Sequence, residues 1–128
     1  KAAASCRLSL VKYQGKNLPQ GEMAKEYSKA RIFLSGSQYE GWNWPCLEAM
    51  ACGVPVIKTR DGGSADYAIN GINCIECELS EFPSKIKGLL AEPMMQKRLI
   101  AGGLECANRF SAWPPFAEQF VSHCEKAI

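Results

Sequence analysis

Two glutamates flank a short segment of aromatic and small residues near the middle of the sequence. Glu40 follows an apolar run, residues 31–34, that is typical of a buried strand. Glu48 lies within an otherwise apolar segment that starts at Pro45 and ends before Gly53, which predicts a short helix. Burying an unpaired carboxylate on such a helix costs several kcal/mol. We therefore expect Glu48 to reach solvent or polar partners.

Hydroxyl groups next to an anion are the ligands that suit this pair of acids. Two hydroxyls of a diol can donate to one carboxylate, as a ribose does in many nucleotide-binding sheets. Each hydrogen bond to a charged group contributes about 1.5–3 kcal/mol. Glu48 is therefore a candidate ribose ligand. Gly41 and the helix start offer backbone N–H groups that suit a diphosphate, and Glu40 then meets the hydroxyls of a sugar beside it.

The same residues also have purely structural interpretations. Glu40 would then be a solvated acid in a loop, and Glu48 an acid favoured near a helix N-terminus by the helix dipole. Trp42 and Trp44 would either stack on a sugar or base, or pack the loop onto the core. Spacing alone leaves these alternatives open.

Short apolar strands alternate with helices along the chain. Strands are expected at residues 6–11, 31–34, 54–58 and 72–77, and helices at 22–30, 45–52 and 64–69. Such a pattern specifies a parallel sheet covered on both faces. Parallel sheets bind ligands at the carboxyl ends of their strands. The candidate site therefore lies in the loops at residues 35–44, 59–64 and 77–81.

Further helices are expected in the C-terminal third, starting near Ser80, Pro93 and Ser111. Their expected apolar faces are Phe82, Ile86, Leu89 and Leu90, then Leu99, Ile100 and Leu104, then Phe116, Phe120 and Cys124. In the first helix of the chain, Tyr27 is expected on the apolar face together with Met23 and Ala30.

Composition is typical of one globular domain, since 47% of the 128 residues are hydrophobic and 22% are charged. The net charge of +2 gives no electrostatic argument for nucleic-acid binding. No apolar run reaches the length of a transmembrane segment, about 18 residues, and residues 1–5 lack the apolar stretch of a secretory signal. Lys58 and Arg60 are expected to be solvated charges rather than phosphate ligands.

Seven cysteines are present, an odd number, and several lie inside apolar runs. This pattern favours reduced thiols in the cytoplasm over a disulfide framework. Cys74 and Cys77 form a single CxxC without a second pair of cysteines or histidines, and His123 is the sole histidine. We therefore expect neither a zinc site nor a redox motif.

The segment from Ser37 to Ile57 resembles the signature of family 4 glycosyltransferases, in which two glutamates are separated by seven residues (the EX7E motif). Glu40 and Glu48 have this spacing. Ser-x-x-Glu-Gly surrounds the first acid, and Leu-Glu-Ala-Met-Ala-Cys-Gly-x-Pro-Val-Ile, which ends at Ile57, contains the second. Looser matches are Gly62-Gly63, Asp66, Asn70-Gly71 and Phe110-Ser111-Ala112-Trp113, so that the resemblance extends from about Met23 to the C-terminus.

This resemblance implies a doubly wound, Rossmann-like α/β fold with about four parallel strands, the C-terminal half of a GT-B enzyme. Residues 1–128 would be part of its nucleotide-sugar-binding domain. Glu40 would be the catalytic residue, in contact with the hydroxyls of the donor sugar, and Glu48 would bind the ribose. The backbone of Gly41, Trp42, Asn43 and Trp44 would line the sugar and the diphosphate. The donor would be a nucleotide-diphosphate sugar, transferred with retention and without a metal or other cofactor.

Some features of the family differ here. Gly41-Trp42-Asn43-Trp44 stands where the family has Gly-Phe-Gly, Asp66 replaces a glutamate, and Cys74 replaces a glycine. The family also has an N-terminal acceptor domain, an upstream Lys/Arg pair and two further central strands, which we expect to be missing from this chain. The acceptor, a sugar or lipid, would be held by that missing domain. The isolated chain is therefore expected to be inactive and to self-associate through an exposed sheet edge at residues 31–35.

Two hypotheses from different classes follow. In the first, the chain is the donor-binding part of a hexosyltransferase of carbohydrate biosynthesis, acting in the cytoplasm or at the membrane periphery. In the second, it is a non-catalytic module that binds a nucleotide sugar or supports a partner. A generic dinucleotide-binding domain is disfavoured, because the sequence has no Gly-x-Gly-x-x-Gly.

Overall fold

A three-stranded parallel sheet forms the centre of the molecule. The computed structural model describes residues 8–12, 17–110, 121–122 and 124–126. Its strands are β1 (Phe33–Ser35), β2 (Val56–Lys58) and β3 (Ile75–Glu76), in the order β1-β2-β3. Every residue of β2 is buried, which explains why that strand has no polar alternation.

Four helices and one 3-10 turn complete the described part of the chain up to residue 110. They are α1 (Gln20–Lys29), α2 (Trp44–Ala51), the turn Leu79–Glu81, α3 (Phe82–Ala91) and α4 (Pro93–Phe110). A proline opens α4, and another stands in the first turn of α2 and of α3, where a missing N–H costs nothing. Gly53, with φ of 71°, ends α2 as predicted.

Apolar clusters cover both faces of the sheet. Consecutive residues of a strand point to opposite faces, and Val56 and Ile57 accordingly belong to different clusters. The first cluster is Cys46, Leu47, Ala49, Met50, Val54, Val56, Tyr67, Cys74 and Cys106. The second is Ile57, Phe82, Ile86, Leu89 and Leu99. The predicted doubly wound α/β fold is thereby confirmed.

The cysteines contribute to this packing as thiols. All six described cysteines are free, and Cys46, Cys74 and Cys106 are buried in the first cluster. Burial raises the pKa of the Cys46 and Cys74 thiols to about 12, so both are protonated at neutral pH. Their structural role is therefore that of small apolar side chains.

Three predicted strands are found, although shorter than predicted, and the predicted first strand is not. Residues 6 and 7 lie outside the described residues, and residues 8–11 form no strand, although Leu8 packs against the second cluster. The predicted strand at 72–77 is reduced to Ile75 and Glu76. None of the helices among the described residues combines the length and apolar character needed to span a bilayer.

The helix predicted at residues 64–69 is a series of turns. Side chains take the place of the helical hydrogen bonds there. Ser64 is held by the carboxylate of Asp61, while Asn73 accepts a hydrogen bond from the Ile69 amide at 2.8 Å and donates to the Tyr67 carbonyl at 2.7 Å. These contacts close the segment after a single turn.

The core face of α4 also differs from the prediction. Leu99, Gly103 and Cys106 are buried, whereas Leu104 is 44% exposed, because the buried positions follow the i, i+4, i+7 spacing of one helix face. The helix predicted after Ser111 lies largely outside the described residues, together with Phe116 and Phe120.

Glycines at the face of α4 let that helix approach its neighbours closely. A Cβ atom added at Gly103 would lie 3.3 Å from the Cβ atom of Met50 in α2. One added at Gly102 would overlap the carbonyl oxygen of Ile72. Because that oxygen belongs to the backbone, the overlap can be relieved only by moving the helix or the turn before β3.

We predict opposite effects for two glycine-to-alanine changes in helices. Gly102→Ala should lower the free energy of unfolding by about 1–3 kcal/mol, as overpacked positions do. Gly88→Ala should raise it by about 0.5–1 kcal/mol, because Gly88 lies inside α3 with open space at its Cβ position. Urea denaturation of both variants measures the difference. Shifts of the same sign would contradict the packing described for α4.

Candidate functional site

Two loops meet at the carboxyl edge of the sheet. The first loop (residues 36–43) follows β1, and the second loop (residues 59–64) follows β2. The Glu40 amide donates to the Asp61 carbonyl at 3.1 Å, and the Thr59 amide donates to the Ser35 carbonyl at 3.0 Å. A Cβ atom added at Gly63 would overlap the carbonyl oxygen of Glu40, so only glycine allows this contact. Two of the three loops in which the sequence places the site, residues 35–44 and 59–64, are thus in contact at this edge.

Asn43 ends the first loop in an unusual backbone conformation. Its φ of 58° makes it the one non-glycine residue of the described chain with positive φ, a conformation that asparagine tolerates better than most residues. It is 4% exposed, and its amide donates to Ser35 at 3.2 Å and to Asp61 at 2.5 Å. Its carbonyl accepts a hydrogen bond from the Tyr67 hydroxyl at 2.7 Å. These bonds fix the direction in which the chain enters α2.

The first turn of α2 has no side-chain cap. Asn43 occupies the N-cap position, but its side-chain oxygen accepts no hydrogen bond from the helix, and its amide nitrogen donates to Ser35 and Asp61. Backbone N–H groups at such a helix start suit an anion. Gly41 leaves room for an anion beside this helix start, because it is exposed and nothing lies within 4 Å of its Cβ position.

Asp61 is a buried acid whose side chain is fully hydrogen bonded. It is 4% exposed. Besides the bond from Asn43, its carboxylate accepts hydrogen bonds from the amide and the hydroxyl of Ser64, at 3.0 Å and 2.7 Å. Burial opposes ionisation, but the hydrogen bonds from Asn43 and Ser64 outweigh it and hold the pKa of Asp61 below its ordinary value.

Lys58, at the end of β2, is the buried cation of the site. Its side chain is 1% exposed, and its Nζ atom lies 2.7 Å from the Thr59 carbonyl, 3.1 Å from Glu76 and 3.5 Å from Asp61. The prediction of a solvated lysine was wrong, because the fold buries Lys58 between Asp61, three residues further along the chain, and Glu76, which is 18 residues away. Arg60 is 86% exposed and pairs with Glu76 at 3.1 Å. Burial opposes ionisation of Glu76, but Lys58 and Arg60 together lower its pKa.

Glu48 faces solvent from α2, as required for an acid on an apolar helix. It is exposed, and its Oε2 atom accepts a hydrogen bond from the Tyr27 hydroxyl at 2.9 Å. Burial and this hydrogen bond raise the pKa of Tyr27 above its ordinary value. The Tyr27 ring packs edge-on against Phe33 of β1, with ring centroids 5.6 Å apart. The helical pattern predicted only a packing role for Tyr27. The hydrogen bond from its hydroxyl group to Glu48 was not predicted.

Glu40 and the two tryptophans complete the candidate residues. Glu40 is exposed, and its carboxylate accepts no hydrogen bond from a described residue. Trp42 packs against Tyr67 and Phe110, with ring centroids 5.3 Å and 5.5 Å apart, so it fixes the first loop to the core. Its indole N–H is buried without a partner among the described residues. Trp44 is 51% exposed and lies beside Trp42.

Comparison with known proteins identifies the class to which this arrangement belongs. The profile of a family described as "Glycosyl transferases group 1" matches residues 9–105, more than half of the chain. The chain belongs to this family of glycosyltransferases.

Two curated relatives are similar to the chain over most or all of its length. The chain is 45% identical over 113 residues, 88% of its length, to the O-antigen chain mannosyltransferase B of Escherichia coli, and it covers 29% of that protein. It is 28% identical, over its whole length, to the MMP alpha-(1->4)-mannosyltransferase of Mycolicibacterium hassiacum, and covers 32% of it. The chain thus spans about a third of the length of these two curated relatives.

Solved structures have the same fold. Sucrose-phosphate synthase from Thermosynechococcus elongatus superposes with a TM-score of 0.77 at 25% identity, over 95% of this chain and 30% of that protein. HepE from Anabaena, solved in complex with UDP-glucose, superposes with a TM-score of 0.68 at 19% identity, over 77% of this chain and 29% of that protein. The likeness to HepE concerns the fold alone.

We predict that the buried cation is required for stability. Lys58→Met should lower the free energy of unfolding by roughly 3–5 kcal/mol, because it leaves Asp61 and Glu76 without their common counter-ion. Lys85→Met is the matched control, since the Lys85 side chain is 43% exposed and only 4.0 Å from Glu81, and it should change stability by no more than about 0.5 kcal/mol. Thermal unfolding compares the two variants. Equal effects would mean that Lys58 does not hold the carboxylates together.

Proposed function

We propose that this chain binds the nucleotide-diphosphate sugar of a retaining glycosyltransferase, and that the sugar passes to an acceptor held by another domain of a longer protein. The proposal rests on the exposure of the Glu48 side chain. Its carboxylate is exposed on an otherwise apolar helix that begins at the carboxyl edge of the sheet, and the Tyr27 hydroxyl donates a hydrogen bond to it. Ligands of parallel α/β sheets bind at this edge.

Each part of the donor has a matching group in the proposal. Glu48 accepts hydrogen bonds from the ribose hydroxyls, and Glu40, whose carboxylate is free of described partners, contacts the hydroxyls of the transferred sugar. The backbone from Gly41 to Trp44 and the uncapped start of α2 take the diphosphate. Hydrogen-bond donors of this kind stabilise a departing anion without a metal.

The relatives support the choice of donor. Two of them are named mannosyltransferases, and HepE, which shares the fold, has been solved with UDP-glucose. We therefore propose a hexose as the transferred sugar, linked to a nucleoside diphosphate, and take UDP- and GDP-linked hexoses as the donors to test. The EX7E spacing of Glu40 and Glu48 supports retention of the anomeric configuration, and the reaction is proposed to take place in the cytoplasm.

A second candidate function is a non-catalytic nucleotide-sugar-binding module. The pairing of two cations favours it: Lys58 and Arg60, the basic residues at the end of β2 and in the second loop, are both bound to carboxylates. The buried Lys58 is not free to neutralise a leaving diphosphate, and Arg60 is already paired with Glu76 through its Nε atom. Turnover of the donor by the full-length protein distinguishes this module from the enzyme.

Glu48→Ala should remove nucleotide binding and leave the fold intact. Loss of two hydrogen bonds to a charged group, at about 1.5 kcal/mol each, weakens binding on the order of 100-fold. Stability should change little, because the carboxylate is exposed. Calorimetric titration with UDP and GDP measures the effect, and Glu92→Ala, another exposed acid, is the control. Unchanged nucleotide affinity in Glu48→Ala would refute the ribose contact.

Glu40→Gln should reduce turnover much more than nucleotide binding. Its proposed contact is with the transferred sugar, so the loss is felt mainly in the transition state, with kcat lower by about 10- to 100-fold. Steady-state kinetics with UDP-glucose and GDP-mannose, next to titrations with UDP and GDP, test the separation of roles. Parallel losses of kcat and nucleotide affinity would show that Glu40 is not specific to the sugar.

A further inference from the structure

One residue of the second loop holds both ends of the ligand-facing part of the first loop. The backbone carbonyl of Asp61 accepts the Glu40 amide at 3.1 Å. Its carboxylate accepts the Asn43 amide at 2.5 Å. Between these two attachment points lie Gly41 and Trp42, and the Gly41 position faces open space. The segment proposed to meet the donor is therefore fixed at its two ends by a single residue.

From this arrangement, and on the basis of the proposed function, we propose that Asp61 is a positioning residue of the donor site. It holds the backbone of residues 40–43 in the conformation that receives the diphosphate and the sugar. Asp61 itself does not touch the donor, because its carboxylate is buried and is occupied by Asn43, Ser64 and Lys58.

The hydrogen-bond chemistry of the pair makes the proposal testable. In Asp61→Asn, an amide group at position 61 turns a donor toward either the Asn43 amide or the Ser64 amide, so one acceptor is lost in each orientation. In Asn43→Asp, two carboxylates face each other where 2.5 Å now separates donor from acceptor. Either single change breaks the side-chain link between residues 43 and 61, while the backbone hydrogen bond from Glu40 to residue 61 is unaltered.

Exchanging the two side chains restores the link. In the double variant Asn43→Asp/Asp61→Asn, the amide at 61 donates to the carboxylate at 43 while its oxygen accepts from Ser64. The new carboxylate at position 43 can accept a hydrogen bond from the Ser35 hydroxyl. In the unaltered protein that hydroxyl accepts a hydrogen bond from Asn43. Aspartate also tolerates positive φ and the N-cap position, so the backbone of Asn43 need not change.

The contacts proposed for the two glutamates of the EX7E motif should be affected differently by these substitutions. Glu48 lies on α2 and is oriented by Tyr27, with no contact to Asp61. Ribose binding is thus independent of the link, whereas diphosphate and sugar binding depend on it. A loss that grows from nucleoside monophosphate to diphosphate to nucleotide sugar is the signature of positioning, since a general loss of stability would weaken all three alike.

The experiment measures dissociation constants of two probe series, UMP, UDP and UDP-glucose, and GMP, GDP and GDP-mannose, for the full-length protein. In the series that the unaltered protein binds, Asp61→Asn should weaken the diphosphate and the nucleotide sugar at least tenfold and the monophosphate less than threefold. The exchanged double variant should return all values to within threefold, a coupling that a double-mutant cycle isolates. Glu92→Gln is the control.

The other outcomes are decisive as well. Unchanged affinities in Asp61→Asn, equal losses for all three probes, or no recovery in the double variant would overturn the positioning role. If Asp61→Asn does not fold, Asn43→Gly replaces it, because glycine accepts the backbone conformation and removes the amide; the same pattern of losses is expected. If the unaltered protein binds neither series, the proposed function fails, and this inference fails with it.

Discussion

A lysine buried between two carboxylates is the interaction on which the rest of the molecule depends. Removing Lys58 from water is costly, and its position is stable only because Glu76, Asp61 and a backbone carbonyl surround its ammonium group. Glu76 belongs to β3 and Asp61 to the loop beyond β2. The same cation therefore joins neighbouring strands and fixes the acid to which Asn43 is bound.

Contacts between polar side chains supply cross-strand links that backbone hydrogen bonds supply in longer sheets. The strands have two or three residues, so the ladders contribute few hydrogen bonds. The ion pair between Lys58 and Glu76 and the hydrogen bond from the Asn43 side-chain amide to Asp61 add links across the sheet edge. In a buried, low-dielectric setting such links are strong and directional. The carboxyl edge of the sheet, where the donor is proposed to bind, is therefore held by side-chain contacts as well as by the backbone ladders.

Sequence patterns predicted the elements that depend on local chemistry. Pro45 and Gly53 gave the position of α2 to within one residue at its start, and the exposure of Glu48 followed from its apolar surroundings. Features made by residues distant in sequence were missed. Lys58 looks like a solvated strand end until Glu76, 18 positions away, is brought beside it. Tyr27 carries a ring that suits packing, and only the fold shows that its hydroxyl reaches Glu48.

The buried ion pair has an evolutionary consequence. Replacing one member strands a charge in the interior, whereas replacing the whole group by apolar residues of similar volume is often neutral or stabilising. A lineage that carries Lys58, Asp61 and Glu76 can therefore leave this arrangement only through several simultaneous substitutions. Single-step drift is blocked at each of these positions, even though the cluster need not be the most stable solution. Its persistence would reflect the order in which mutations arise rather than an optimum of stability.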